Sequence, residues 1–155
     1  MGKEIERKFL VDTTKWEAFK KEVNSEKVQI IQAYIGRTEL QTSRVRIKSK
    51  AGEQKAYLTI KGKTKGITRS EFEYEIPVSE AKAMISEFCA KHIDKVRYTF
   101  NYQDKTWEVD EFTSPKTGLV LAEVELNTEK EAVDLPYFIK EDVSTDPQYF
   151  NVNML

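Results

Sequence analysis

This 155-residue chain predicts an α+β fold, mainly antiparallel β, with two helices and about eight strands able to close into a barrel. Three observations predict it. Short segments that alternate apolar and polar residues recur along the chain. Only two stretches carry a helical apolar stripe. Most consecutive strands are linked too tightly for parallel crossovers, and closing them into a barrel removes the sheet edges.

The first strand is Lys3-Glu-Ile-Glu-Arg-Lys-Phe-Leu-Val11. Ile5, Phe9 and Val11 share one side with Arg7 as an exception, and Glu4, Glu6 and Lys8 share the other. Same-face neighbours on a strand sit about 7 Å apart, so two Glu side chains can share one cation and the Lys can touch an anion held by it. Taken alone, these nine residues fit a half-buried strand with a solvated polar side. Asp12, Thr13 or Thr14 can cap a short helix running to about Val23, with Trp16, Phe19 and Val23 on its stripe. Strands follow at Val28–Ile35, Ser43–Ser49 and about Lys55–Lys61, and Gly62–Gly66 reads as a mobile basic hairpin. Ser70-Glu-Phe-Glu-Tyr-Glu-Ile-Pro77 alternates cleanly and stops at the proline. Ser79 then caps a helix to about His92, with Ala81, Ile85, Phe88 and Cys89 near one stripe. Strands Asp94–Tyr102, Thr106–Phe112 and Leu119–Leu126 complete the set, and the remainder from Asn127 is less regular.

Length and the absence of any dividing linker predict one domain, 1–155. The single cysteine excludes an intramolecular disulfide, and no signal peptide or long apolar run is visible, so a soluble cytoplasmic protein with no membrane partner is expected. The lone His92 leaves no His dyad, so chemistry must come from carboxylates, Lys, Arg, Tyr and hydroxyls. The 25 basic and 26 acidic residues nearly cancel, and the aromatics alternate with the charges instead of joining them. Neither feature points to nucleic acid. No Walker loop is present.

The charges segregate by strand. Acidic faces carry Glu4/Glu6, Glu71/Glu73/Glu75, Glu108/Asp110 and Glu123/Glu125; basic faces carry Arg44/Arg46/Lys48, Lys55/Lys61 and Lys95/Arg97. Exposed cross-strand ion pairs are worth only about 0–1 kcal/mol each, which gives little reason for such sorting. Clustered carboxylates favour a hard cation such as Mg²⁺ or Mn²⁺, and clustered Arg and Lys favour a polyanion. From the sorting alone, a metal-bound polyphosphate site and a solvated charged face stand level.

Glu4-Ile-Glu6-Arg-Lys8 resembles the ExExK signature of the CYTH superfamily, the triphosphate tunnel metalloenzymes. Arg44-Val-Arg46, Leu58-Thr-Ile-Lys61, Glu71-Phe-Glu73-Tyr-Glu75, Lys95-Val-Arg97-Tyr98, Trp107-Glu-Val-Asp110 and Leu121-Ala-Glu123-Val-Glu125 resemble its later segments in order. Asp146-Pro-Gln-Tyr-Phe-Asn151 is similar to the closing segment of small bacterial members. The resemblance implies a barrel forming a tunnel with charged faces inward and helices outside, wet and with its charges paired. It implies Glu4, Glu6, Asp110, Glu123 and Glu125 as ligands of Mg²⁺ or Mn²⁺, and Glu71 and Glu73 as a second acidic group that orients water or a further metal. Lys8, Arg44, Arg46, Lys61, Lys95 and Arg97 are implied as a triphosphate cradle. Glu75, Glu108, Lys48 and Lys55 are read as pairing partners. Two departures stand out: Ala33 where a small Gly is common, and Gln148 where an Arg is common.

The expected function is therefore hydrolysis of inorganic tripolyphosphate to pyrophosphate and phosphate. Same-class rivals are a class IV adenylyl cyclase and a thiamine or nucleoside triphosphatase. A rival of another class is a non-catalytic polyphosphate-binding module. The resemblance is also compatible with a homodimer.

Overall fold

The computed structural model describes residues 2–155. Eight strands close on themselves: β1 (Gly2–Val11), β2 (Glu26–Arg37), β3 (Gln41–Lys50), β4 (Glu53–Gly62), β5 (Thr68–Ile76), β6 (Ile93–Tyr102), β7 (Lys105–Ser114) and β8 (Val120–Glu125). Their order around the wall is β5-β4-β3-β2-β6-β7-β8-β1, and β1 pairs back to β5, so the barrel is closed and antiparallel. A short ninth strand, β9 (Ile139–Asp142), lies on β1; it falls in the stretch expected to be irregular. Strand positions match the alternation, with ends shifted by up to two residues.

Helix α1 (Thr13–Glu22) starts where the Asp12 carboxylate accepts the backbone N–H of Lys15 at 3.0 Å. Its Trp16 and Phe19 are buried against Tyr98, Phe100, Trp107 and Phe138 on the outer side of the barrel. This aromatic cluster is the main hydrophobic core. Lys20 of the same helix and the Trp16 indole N–H both reach Glu111, each at 2.8 Å. Replacing the cap, Asp12→Ala, leaves an N-terminal N–H unpaired and should cost about 1 kcal/mol. For a chain of this size that lowers the melting midpoint by about 2–4 °C in differential scanning calorimetry; an unchanged midpoint would show that packing alone sets this end.

Helix α2 (Val78–Phe88) differs from expectation at both ends. Pro77, without a side-chain cap bond, is its N-cap, so Ser79 sits inside the first turn. It stops at Cys89, and His92 lies beyond it, paired with Asp94 at 3.2 Å. Phe88 is exposed rather than part of the stripe. Ala81 instead seats the helix on Val45, Ile47 and Ala56 of β3 and β4. Cys89 is half-buried, its thiol 3.6 Å from the Tyr34 carbonyl oxygen. The outer faces of Phe72 and Tyr74 on β5 are left uncovered.

Two short 3-10 turns, Pro147–Tyr149 and Asn151–Met154, end the chain across one mouth of the barrel. There Met154, Val143 and Tyr149 pack on Ile93, Phe112, Leu121 and Leu10, which share the inward parity of their strands. The interior is thus apolar at that end and charged along the rest.

Candidate active site

Period-two alternation in eight strands projects one residue set inward, and the strand register decides which charges meet. Lys61 lies opposite Glu71, Thr59 opposite both Arg44 and Glu73, Arg97 opposite Asp110, and Lys8 opposite Glu123. Basic and acidic walls therefore interleave around one cavity of about 270 Å³. That is slightly below the usual range for ligand pockets, so it suits a small polar ligand. Of the thirteen residues expected at the site, Glu4, Glu6, Lys8, Arg44, Arg46, Lys61, Glu71, Glu73, Lys95, Arg97, Glu123 and Glu125 all line it.

Asp110 is the exception. It is 1% exposed and does not line the cavity. Its carboxylate lies 2.7 Å from Lys95 Nζ and accepts from Arg97 Nε and Nη2 at 2.7 and 2.9 Å. Burial alone would raise its pKa; Arg97 and Lys95 outweigh burial and hold it at about 2. Its place in the structure is that of an anchor for two cradle cations, behind the cavity wall.

The cations are tied to neighbours that leave them facing the lumen. Arg44 donates to Thr59 Oγ1 at 3.2 Å and lies 3.6 Å from Glu73, while its buried Nε has no partner. Arg46 donates both Nε and Nη2 to Gln32 Oε1, at 3.0 and 2.8 Å. Burial, then the neighbouring Arg44 and Arg97, push Arg46 down to about 9; burial also pushes Lys95 down to about 7 despite Asp110. Such crowding of like charge is what an anion would relieve.

The carboxylates crowd in the same way. Burial raises Glu6 well above the ordinary carboxyl range, with Glu123 adding repulsion and a shared hydrogen bond. Glu123 is opposed by burial but held well below that range by Lys8, the Glu6 bond and Arg97. For Glu4, burial works upward while Lys61, a hydrogen bond with Glu71 and Arg69 bring it down to about 2. Lys61 bridges Glu4 and Glu71 at 3.2 and 3.1 Å. Glu125 is exposed at the rim. Among the described residues no three acidic side chains form a ready metal cage. The donor set nevertheless fits Mg²⁺ or Mn²⁺, which are held by one or two carboxylates completed by substrate phosphate oxygens and water. The crowding of Glu6 against Glu123 marks where a cation would relieve repulsion.

Residues missed in the sequence are Arg69, Tyr34, Ser144 and Asn151, all of which line the cavity. Arg69 donates Nε to Glu4 Oε1 at 3.1 Å. Its signal was available: it continues the parity of Glu71 and Glu73 by one step. Because it adds positive charge to the cavity wall and pairs with Glu4, Arg69→Ala should raise KM for a polyanionic substrate several-fold with little loss of kcat; an equal fall in kcat and kcat/KM would place it in the transition state instead. Among the residues expected as pairing partners, Glu108 reaches Arg97 at 3.1 Å and Lys48 lies over the Tyr57 ring at 5.1 Å. Gln148 is exposed and does not line the cavity. The Gly62–Gly66 hairpin is not free: Glu129 accepts from Ile67 N and Thr68 Oγ1 at 3.1 and 3.0 Å, and Thr64 lines the cavity.

A closed barrel with interleaved basic and acidic walls facing a small polar lumen defines a class of anion-binding tunnel proteins. Residues 2–153 match the CYTH domain, and the chain belongs to that family. It is 42% identical over 156 residues to the inorganic triphosphatase of Acetivibrio thermocellus, covering 100% of this chain and 94% of that one. It is 29% identical over 152 residues to the inorganic triphosphatase of Nitrosomonas europaea, covering 96% and 93%. Its fold matches the crystal structure of the inorganic triphosphatase NE1496 with a TM-score of 0.65 at 26% identity, over 97% and 96% of the two chains.

Proposed function

We propose that the whole chain, 1–155, acts as one metal-dependent inorganic triphosphatase domain that splits tripolyphosphate into pyrophosphate and phosphate. The observation that carries this reading is six cations, Lys8, Arg44, Arg46, Lys61, Lys95 and Arg97, facing a carboxylate cluster across one small cavity. The full-length likeness to an inorganic triphosphatase supports it.

The six cations hold the phosphate chain and neutralise its equatorial oxygens, so attacking and leaving oxygens lie in line. Glu4, Glu6, Glu123 and Glu125 would hold the divalent cation. When bound, it supplies Lewis-acid charge that draws electron density from a phosphoryl oxygen. Glu71 and Glu73 orient the attacking water. Burial and the Glu4 hydrogen bond raise Glu71, which makes it the better acceptor of the water's proton. The P–O bond to the attacking oxygen forms as the bond to pyrophosphate breaks, and basic residues stabilise the departing charge. A cytoplasmic setting fits a chain with one cysteine and, among the described residues, no helix long and apolar enough to cross a membrane.

Phosphate release from tripolyphosphate, ATP and thiamine triphosphate, each with Mg²⁺ and with Mn²⁺, tests the reading. Fastest turnover on tripolyphosphate is expected. Cyclic AMP from ATP with no release from tripolyphosphate would make the protein a cyclase; uptake without turnover would make it a binding module.

A further inference from the structure

We propose that Asn151 is a positioning residue of the site: its side-chain oxygen fixes Lys95 directly, and Arg46 through Gln32, in the orientation that receives the triphosphate. This rests on the triphosphatase reading. Asn151 Oδ1 accepts from Lys95 Nζ and from Gln32 Nε2, each at 3.1 Å. Gln32 is fully buried, and its Oε1 accepts two hydrogen bonds from Arg46. Lys95 in turn meets Asp110, which holds Arg97. One continuous chain, Arg46–Gln32–Asn151–Lys95–Asp110–Arg97, thus crosses the closed end and ties three cradle cations together.

The direction of the Gln32 amide is the critical point. Its oxygen faces Arg46 only while its NH₂ has an acceptor on the other side. Asn151 supplies that acceptor. Without it the amide is free to flip and present N–H groups to a guanidinium, and Lys95 is free to turn wholly onto Asp110. Both changes withdraw or misdirect cations. An amide also suits this position better than a carboxylate would. It orients Lys95 without cancelling its charge, so the cradle stays positive for a polyanion.

The segment bearing Asn151 is anchored independently of that bond. Lys8 Nζ donates to the Tyr149 carbonyl at 3.0 Å, Asn153 Nδ2 donates to the Pro147 carbonyl at 2.8 Å, and Met154 is buried in the apolar end. The side chain can therefore be changed without releasing the tail.

The test is calorimetric titration of tripolyphosphate into wild-type protein, Asn151→Leu, Gln32→Met and the double variant, without metal, so that binding is read apart from turnover. Each single variant should bind about tenfold or more weakly at unchanged stoichiometry, and Asn151→Leu, which leaves Lys95 paired with Asp110, should melt close to the wild type. The double variant should lose little beyond either single one, because both cut the same chain. Unchanged affinity, or a lowered stoichiometry at unchanged affinity, would reduce Asn151 to a structural residue, and additive losses would break the relay. If Asn151→Leu fails to fold, Gln32→Met carries the same pair of outcomes from the barrel side. Wild-type protein that takes up no tripolyphosphate would sink the triphosphatase reading and this role with it; wild-type uptake with unchanged variants sinks this role alone.

Discussion

Glu6→Gln is expected to lower metal-dependent tripolyphosphate hydrolysis by at least about a hundredfold while leaving the fold as stable as before or more so. The two effects have one cause. Glu6 is crowded by burial and by Glu123, so the ligand-free folded protein keeps a proton there that the unfolded chain gives up above the ordinary carboxyl value of 4.5. A group held protonated in the folded state makes stability fall as pH rises past its unfolded pKa. Gln is the uncharged counterpart of that protonated carboxyl, so it removes the penalty. The melting midpoint of Glu6→Gln should match the wild type near pH 4 and exceed it at pH 8. Its kcat should be low at every pH, because the charge that holds a cation is gone. A variant that kept its turnover would remove Glu6 from the metal end, and one that melted lower at pH 8 would contradict the protonated pair.

Asp110→Asn should do the reverse and damage the fold first. Lys95 and Arg97 are buried, and Asp110 touches both within 2.7 Å. Removing the partner of a buried charge costs about 3–5 kcal/mol, because the remaining charge is left uncompensated. At about 2–4 °C per kcal/mol for a chain of this size, the midpoint should fall by about 6–20 °C. The pH dependence gives an independent sign. Asp110 ionises at about 2 in the folded protein against an ordinary 3.8. Its stabilisation is complete above the unfolded value and is lost as pH falls through the folded one. Wild type should therefore lose stability between about pH 4 and pH 2 more steeply than Asp110→Asn does. Urea midpoints at pH 7, 4 and 2.5 read both effects. Equal slopes would show that another group anchors Lys95 and Arg97.

These two residues also mark how far alternation could be read. Period two places a side chain on the inner or outer face, and that was enough to put twelve of the thirteen expected residues on the cavity wall. It does not say how deep along the barrel a residue lies. Asp110 shares the inward parity of Glu108, yet its level is closed off by Lys95 and Arg97. Leu10, Ile93, Phe112 and Leu121 share inward parity too, and they form an apolar end that charge sorting could not reveal. Depth is set by the stagger of neighbouring strands, which depends on long-range pairing. Arg69 was hidden by its place at the edge of a glycine-flanked hairpin, where alternation begins. Asn151 was invisible for a different reason. It stands on a 3-10 turn with no period, and its role comes from meeting Gln32 and Lys95 across more than fifty positions of chain. Helix α2 ends short of its apolar stripe: Phe88 and Cys89 extend the pattern, but the chain leaves the helix there to enter β6.

The central claim is that one cavity holds the triphosphate on its basic wall and the metal on its acidic wall. A crystal structure of Glu71→Gln, slowed in turnover, with tripolyphosphate and Mn²⁺ tests it most directly, since the anomalous signal of Mn²⁺ locates the ion without ambiguity. The account predicts manganese among Glu4, Glu6, Glu123 and Glu125, with phosphate oxygens against Lys8, Arg44, Arg46, Lys61, Lys95 and Arg97. Tripolyphosphate bound outside the barrel, or manganese held away from those four carboxylates, would contradict it.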